Sequence, residues 1–110
     1  MPSFNAPTMG HRMVLQSPTD TVSTEGELIT DWTTIATIWG AFTASKARRE
    51  EEAQQLVEVQ QHQIVIRYRD DVANGWRFLL DDREILILTV IDPDQRKRFL
   101  SCACEEAARS

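Results

Sequence analysis

No part of this chain has the roughly 18 apolar residues in succession that a membrane-spanning helix requires. The opening segment MPSFNAPTMGHRM lacks the apolar centre of a signal peptide. With no export signal, the expectation is synthesis in a reducing cytoplasm. Cysteine is scarce: Cys102 and Cys104 are the only two. Two positions apart on a strand, they share a face but are poorly placed to bond each other. They read as small buried hydrophobes. Glycine occurs singly, at Gly10, Gly26, Gly40 and Gly75, which leaves no glycine-rich loop to cradle a phosphate. His11 and His62 are the only histidines and lie far apart. With no third partner at ligand spacing they do not suggest a metal centre, and surface or strand-edge positions are expected for both. Serine and threonine form no nucleophile motif. No set of titratable groups assembles into a recognisable pocket, so neither an enzyme nor a bound cofactor is expected.

What is present is an ordinary globular composition with an acidic balance. The 110 residues suit one domain, with an adequate but small core. Lys and Arg number 12 against 17 Asp and Glu, a net charge of −5. That sign argues against free nucleic-acid binding, which usually needs a basic surface. The charge is uneven: 4 basic and 8 acidic residues up to Gln60, then 8 and 9 from Gln61 onward.

Residues 1–10 read as a loose arm. Arg12 to Gln16 reads as a short strand, with Met13 and Leu15 on one face. Ser17 to Thr30, broken by Pro18 and Gly26, reads as a long loop or extended hairpin. A connection of that length is more often functional than accidental. Asp31 to Phe42 is rich in Thr, Ile and Trp, which suit a strand, with Gly40 as a bend or bulge. Thr43 to Val59 holds good helix formers behind Ser45 as a candidate N-cap. Its apolar face is thin, limited to Ala47, Ala53, Leu56 and Val57. A short helix there must pack on a neighbour, or the segment 43–61 stays mobile.

From His62 to Glu105 the pattern is that of an antiparallel sheet. Gln63 to Arg69 alternates, with Ile64, Ile66 and Tyr68 on one face. Asn74 and Gly75 close a turn. Trp76 to Leu80 is a strand, and Asp81 and Asp82 form a two-residue hairpin loop. Arg83 to Ile91 is apolar on both faces and is expected to be covered on both sides. Asp92-Pro93-Asp94 is a turn. Phe99 to Glu105 is the last strand, with Leu100, Cys102 and Cys104 inward, and the tail EEAARS is frayed. The fold class is mostly β (α+β): a small antiparallel β-barrel or sandwich of about six strands. It carries one short helix and a long loop between the first two strands.

The carboxylate pairs Asp70-Asp71, Asp81-Asp82 and Asp92 with Asp94 fall at turns, where aspartate bonds its own backbone. Arg67, Arg69, Arg77, Arg96, Lys97 and Arg98 are either solvated charges balanced by Asp70, Asp71, Asp92 and Asp94 or a polar surface for an acidic partner subunit. Arg48 and Arg49 before Glu50, Glu51 and Glu52 suit ion pairs along a helix, or a segment that orders only in an assembly.

Several of these residues together resemble the head closure proteins of long-tailed phages, also called stopper or head–tail joining proteins. The likeness spans His11 to Glu105. It includes His11-Arg12 with Gln16 and Pro18, Gly26 before Trp32, Trp39, and Ala53-Gln54. It continues with His62, Ile64-Val65-Ile66-Arg67-Tyr68, Trp76-Arg77-Phe78 and Asp82-Arg83. It closes on Ile85 to Ile87, Asp92-Pro93-Asp94, Arg96 to Arg98, Leu100, Cys102 and Glu105. The IRYR and DPDQRKR segments are its most specific parts. The chain departs from the family in having Asp82 where glycine is common and Gly40 where alanine is common.

The resemblance implies a small β-barrel with a helix and a structural role in the virion neck. Such proteins form a homo-oligomeric ring, typically of twelve subunits, below the portal or adaptor ring. They retain the packaged genome and offer a docking surface to the tail terminator or tail tube. DNA passes through the channel without sequence-specific contact, and no membrane is involved. The segment after the second long strand, Thr43 to Gln61, can line the channel in this family, which makes Glu50, Glu51, Glu52 and Glu58 candidate lining residues. An acidic lumen would repel DNA and let it slide. Thr21, Glu25 and Glu27 in the long loop, with Arg67, Arg69, Arg96, Lys97 and Arg98, are candidates for contacts between subunits or rings. The alternatives are an adaptor or tail terminator of the same particle, or a small β-barrel that binds nucleic acid.

Overall fold

The computed structural model describes residues 6–52 and 55–107, with side chains outside 48–57. Six strands account for most of them: β1 (His11–Val22), β2 (Leu28–Glu52), β3 (Gln55–Arg67), β4 (Arg77–Leu80), β5 (Arg83–Ile91) and β6 (Phe99–Ala107). All neighbours are antiparallel, in the order β1-β2-β3-β6-β5-β4, and β4 pairs back to β1 as a closed barrel. The closure is narrow, since β4 meets β1 only at Val14–Leu79, Leu15–Phe78 and Gln16–Arg77.

Period-two alternation fills the interior as expected. Met13, Leu15, Ile64, Ile66, Phe78, Ile85, Ile87, Leu100, Cys102 and Cys104 form one buried cluster. Ile38, Phe42, Tyr68 and Trp76 pack against its margin. Gly40 lies in this packing, where a side chain would require Met13 to shift. A Cβ there would stand 2.3 Å from Met13 Cε and 3.3 Å from the Val65 carbonyl oxygen.

The expected helix is absent: the described residues contain none. Thr43 to Glu52 continue β2, and the register runs from Ala44–Gln63 to Glu52–Gln55. Good helix formers lose to the hairpin because a helix here would have almost nothing to bury, whereas Ala44 to Glu52 each have a register partner on β3.

The expected long loop is also mostly strand. Ser17 to Val22 pairs with Leu28 to Thr33, leaving Ser23 to Glu27 as the connection. Pro18 is tolerated because β1 has no neighbour on its other side beyond Gln16 among the described residues. Gly26 takes φ +85°, a left-handed turn conformation suited to glycine. The Ser23 hydroxyl accepts hydrogen bonds from the backbone N–H of Glu25 and Glu27.

β2 is thus one strand shared by two hairpin arms. Its first part pairs with β1, its second with β3, and the pairings meet at Gly40. Twenty-five residues in a straight strand would span about 80 Å, but the longest dimension of the molecule is 52 Å. The strand therefore bends, and a bulge between Phe42 and Ala44 lies beside Gly40. The arms diverge from that bend.

Candidate assembly surface

The base of the β2–β3 arm is fastened by a polar chain that runs through the buried His62. The Ser45 hydroxyl lies 2.7 Å from His62 Nδ1, and His62 Nε2 lies 2.9 Å from Glu106 Oε1. A carboxylate only accepts, so His62 donates from Nε2 to Glu106, and Nδ1 is the ring atom that meets the Ser45 hydroxyl. Arg83 grips Glu106 through both oxygens, at 2.8 Å each. Arg83, and after it His62, hold the Glu106 carboxyl below its ordinary range. Phe42 meets the His62 ring edge-on at 5.0 Å and the His11 ring likewise.

His62 is therefore buried, 5% exposed, where a surface or strand-edge position was expected. The burial is tolerable because both ring nitrogens have partners. The signal was in the alternation: His62 shares parity with Ile64 and Ile66, and Glu106 with Cys102 and Cys104. The expected frayed tail is likewise strand as far as Ala107. Ser45, His62 and Glu106 follow the order of a nucleophile relay, but Arg83 neutralises the acid and β2, β3 and β6 enclose the imidazole. The arrangement joins β2, β3 and β6 to the first residue of β5.

The base of the β1–β2 arm is fastened differently. The Arg77 guanidinium lies 4.1 Å over the Trp32 ring and donates to Gln16 Oε1 at 2.8 Å. Gln16 Nε2 donates to Thr34 Oγ1 at 3.1 Å. Arg77 is thereby committed within its own chain and does not join an outer basic patch.

Beyond its base this arm is open. Val22 and Leu28 face each other at its tip, 70% and 69% exposed. Thr21, Glu25 and Glu27, the candidate contact residues there, are all exposed. On the other arm Glu58 is exposed, while Glu50, Glu51 and Glu52 belong to β2 with side chains outside the described residues.

The candidate cations gather at the end of the sheet where β3 finishes and β6 begins. Arg67 pairs in register with Phe99, and the Tyr68 N–H donates to the Arg98 carbonyl at 3.0 Å. Two of these cations are already engaged. Arg69 makes a two-pronged pair with Asp71, which lowers the Asp71 carboxyl's affinity for its proton. Arg98 pairs with Asp94, with the same sense. Asp92 and Asp94 also accept from the N–H groups of Lys97 and Arg96, so these aspartates do serve the turn. Arg67, Arg96 and Lys97 are exposed, with no carboxylate partner among the described residues.

Apolar side chains lie on the outside of the sheet as well. Trp39 is 55% and Ile91 57% exposed, and Leu86 and Leu88 are also open. β5 is thus covered on its inner face only, against the expectation of cover on both. Both thiols are buried, and burial pushes Cys102 up to about 12 and Cys104 further. Among the described residues no three His, Cys, Asp or Glu side chains gather in a metal-binding group.

A model of the phage head completion protein family matches residues 4–107. The chain belongs to that family. A chain of the virion of a native gene transfer agent particle has the same fold, with a TM-score of 0.80 and 22% identity over 94% of this chain and 99% of that one. The solution structure of protein SF1141 from Shigella flexneri 2a aligns with a TM-score of 0.60 and 22% identity, over 93% of this chain and 96% of that one. No curated protein matches the chain. As a head completion protein it is a structural component of a phage-type virion. What its surface has to offer is therefore contact with other proteins of the particle.

Proposed function

We propose that this head completion protein forms a homo-oligomeric ring in the neck, typically of twelve copies. The ring sits between the portal or adaptor ring and the tail terminator or tail tube, retains the packaged DNA and presents the surface on which the tail docks. The observation that carries this reading is the build of one subunit. A rigid closed sheet sends out two hairpin arms that share a single strand, so one copy can reach two different neighbours. The β2–β3 arm, with Glu50, Glu51, Glu52 and Glu58, would face the channel, where like charge repels passing DNA. The β1–β2 arm, with Thr21, Glu25 and Glu27, would reach outward. An adaptor ring fits less well, since such proteins tend to be helical. Removing the gene from a producing phage or gene transfer agent tests the reading. The expected result is heads that lose their DNA and tails that stay detached. Normal yields of joined, filled particles would refute it. A free nucleic-acid-binding barrel predicts instead salt-dependent binding of the purified chain to duplex DNA.

A further inference from the structure

The geometry points to the partner of the β1–β2 arm: a second copy of this chain, on whose Arg12–Trp39–Arg67–Phe99 face the arm tip docks. This rests on the ring reading and adds which surfaces meet. From Met13 to Ser45 the chain has four carboxylates, Asp20, Glu25, Glu27 and Asp31, and no lysine or arginine. All four are exposed and lie on the arm. The tip also carries Val22 and Leu28, the two most exposed large apolar side chains among the described residues. The tip is thus acidic and apolar together.

The receiving face has the opposite charge and a place for an apolar side chain. Arg12 and Trp39 face each other across β1 and β2, and Arg67 faces Phe99 across β3 and β6. Arg12, Arg67, Arg96 and Lys97 have no carboxylate partner among the described residues. Trp39, Arg67 and Phe99, with Ala6, Pro7 and Met9, line a cavity of about 330 Å³. That is room for an aliphatic side chain beside the unpaired Arg67.

The tip cannot fill its own chain's cavity. Leu28 and Trp39 are eleven residues apart on one paired strand, about 35 Å along it. The ribbon is paired throughout this stretch except for one bulge opposite Leu15 and Gln16, and a single bulge does not fold it back over that distance. The contact joins two different surfaces, and such a heterologous contact repeated by rotation closes a ring. Opposite charges at its rim select the partner and its orientation.

The test uses the full chain carrying both Leu28→Cys and Trp39→Cys, produced with the other particle proteins and oxidised after particle purification. Native Cys102 and Cys104 are buried and stay out of the reaction. The expected result is a reducible ladder of covalent multimers of this chain, absent from either single variant. Joined particles that yield only monomer, or a bond to a different protein, overturn the contact and leave the neck assignment intact. A chain missing from purified particles refutes both. Charge exchange gives a second readout. Glu25→Lys with Glu27→Lys, and separately Arg96→Glu with Lys97→Glu, should each lower joined-particle yield at least roughly tenfold. The fourfold variant should recover it. No recovery in a fourfold variant that folds normally overturns the contact, as does loss of duplex DNA binding in Arg96→Glu/Lys97→Glu with the ladder unchanged.

Discussion

His62 Nε2 donates to Glu106 Oε1 over 2.9 Å, and this contact ties β3 to the last strand at the root of the β2–β3 arm. Glu106 also holds Arg83, so removing it strips two partners at once. Glu106→Ala is expected to cost about 2–3 kcal/mol, as for the loss of charge-assisted hydrogen bonds from a partly buried site. Denaturant unfolding of the purified chain measures it. A loss below about 0.5 kcal/mol, the scale of an ordinary surface change, would contradict the role given to this contact.

The same carboxylate sets part of the acid response. Its folded pKa lies below the ordinary 4.5, chiefly through Arg83 and then His62. Folding therefore favours the ionised form. That contribution is full above pH 4.5 and is lost as pH falls through the lower folded value. Asp71 and Asp94 act with the same sign, through Arg69 and Arg98. Stability measured from pH 6 downward should fall more gently in Glu106→Gln than in the native chain. Parallel curves would show that Glu106 does not contribute.

Gly40 and Met13 should be coupled. A Cβ on Gly40 would meet Met13 Cε at 2.3 Å inside the packed core. Gly40→Ala is expected to destabilise by about 1–3 kcal/mol, as overpacking does. Met13→Val shortens the clashing side chain, so the double variant should lose less than the sum of the two single ones. Additive losses in a double-mutant cycle would mean that Met13 is not what excludes a side chain at this position.

The thiols should be silent in the folded protein. Cys102 and Cys104 are buried, and burial keeps both protonated at neutral pH. Thiol-reactive dye at pH 8 should label neither at an appreciable rate until denaturant is added, and then both. Fast labelling of the native chain would contradict the closed sheet.

The sheet half was readable from sequence because each strand there has one face in the core. Ile64 and Ile66, Ile85 and Ile87, and Cys102 and Cys104 all show the alternation that burial imposes. The arms were not readable for the converse reason. The β1–β2 ribbon leaves most side chains from Thr19 to Asp31 exposed, and the apolar face of 43–59 is thin, so no clear period of two is imposed and composition misleads. The alanine, glutamate and glutamine of 43–59 suggest a helix, and Pro18 suggests a loop, although an unpaired strand edge accepts proline. Of the surface, the cations and the acidic arm were visible as residue types. Which cations stay free depends on Asp71, Asp94 and Trp32 engaging Arg69, Arg98 and Arg77, and those contacts are set by the fold. His62 was misplaced because its partners, at Ser45 and Glu106, come from distant parts of the chain.

The most direct test of the account is an image of the intact neck with this chain traced at side-chain detail. The account predicts a closed ring of this head completion protein between the portal side and the tail, with the β2–β3 arms toward the axis. Each Val22–Leu28 tip should lie against Trp39 of the adjacent copy. A neck without this chain, or a ring with segment 43–61 on its outer wall, would contradict it.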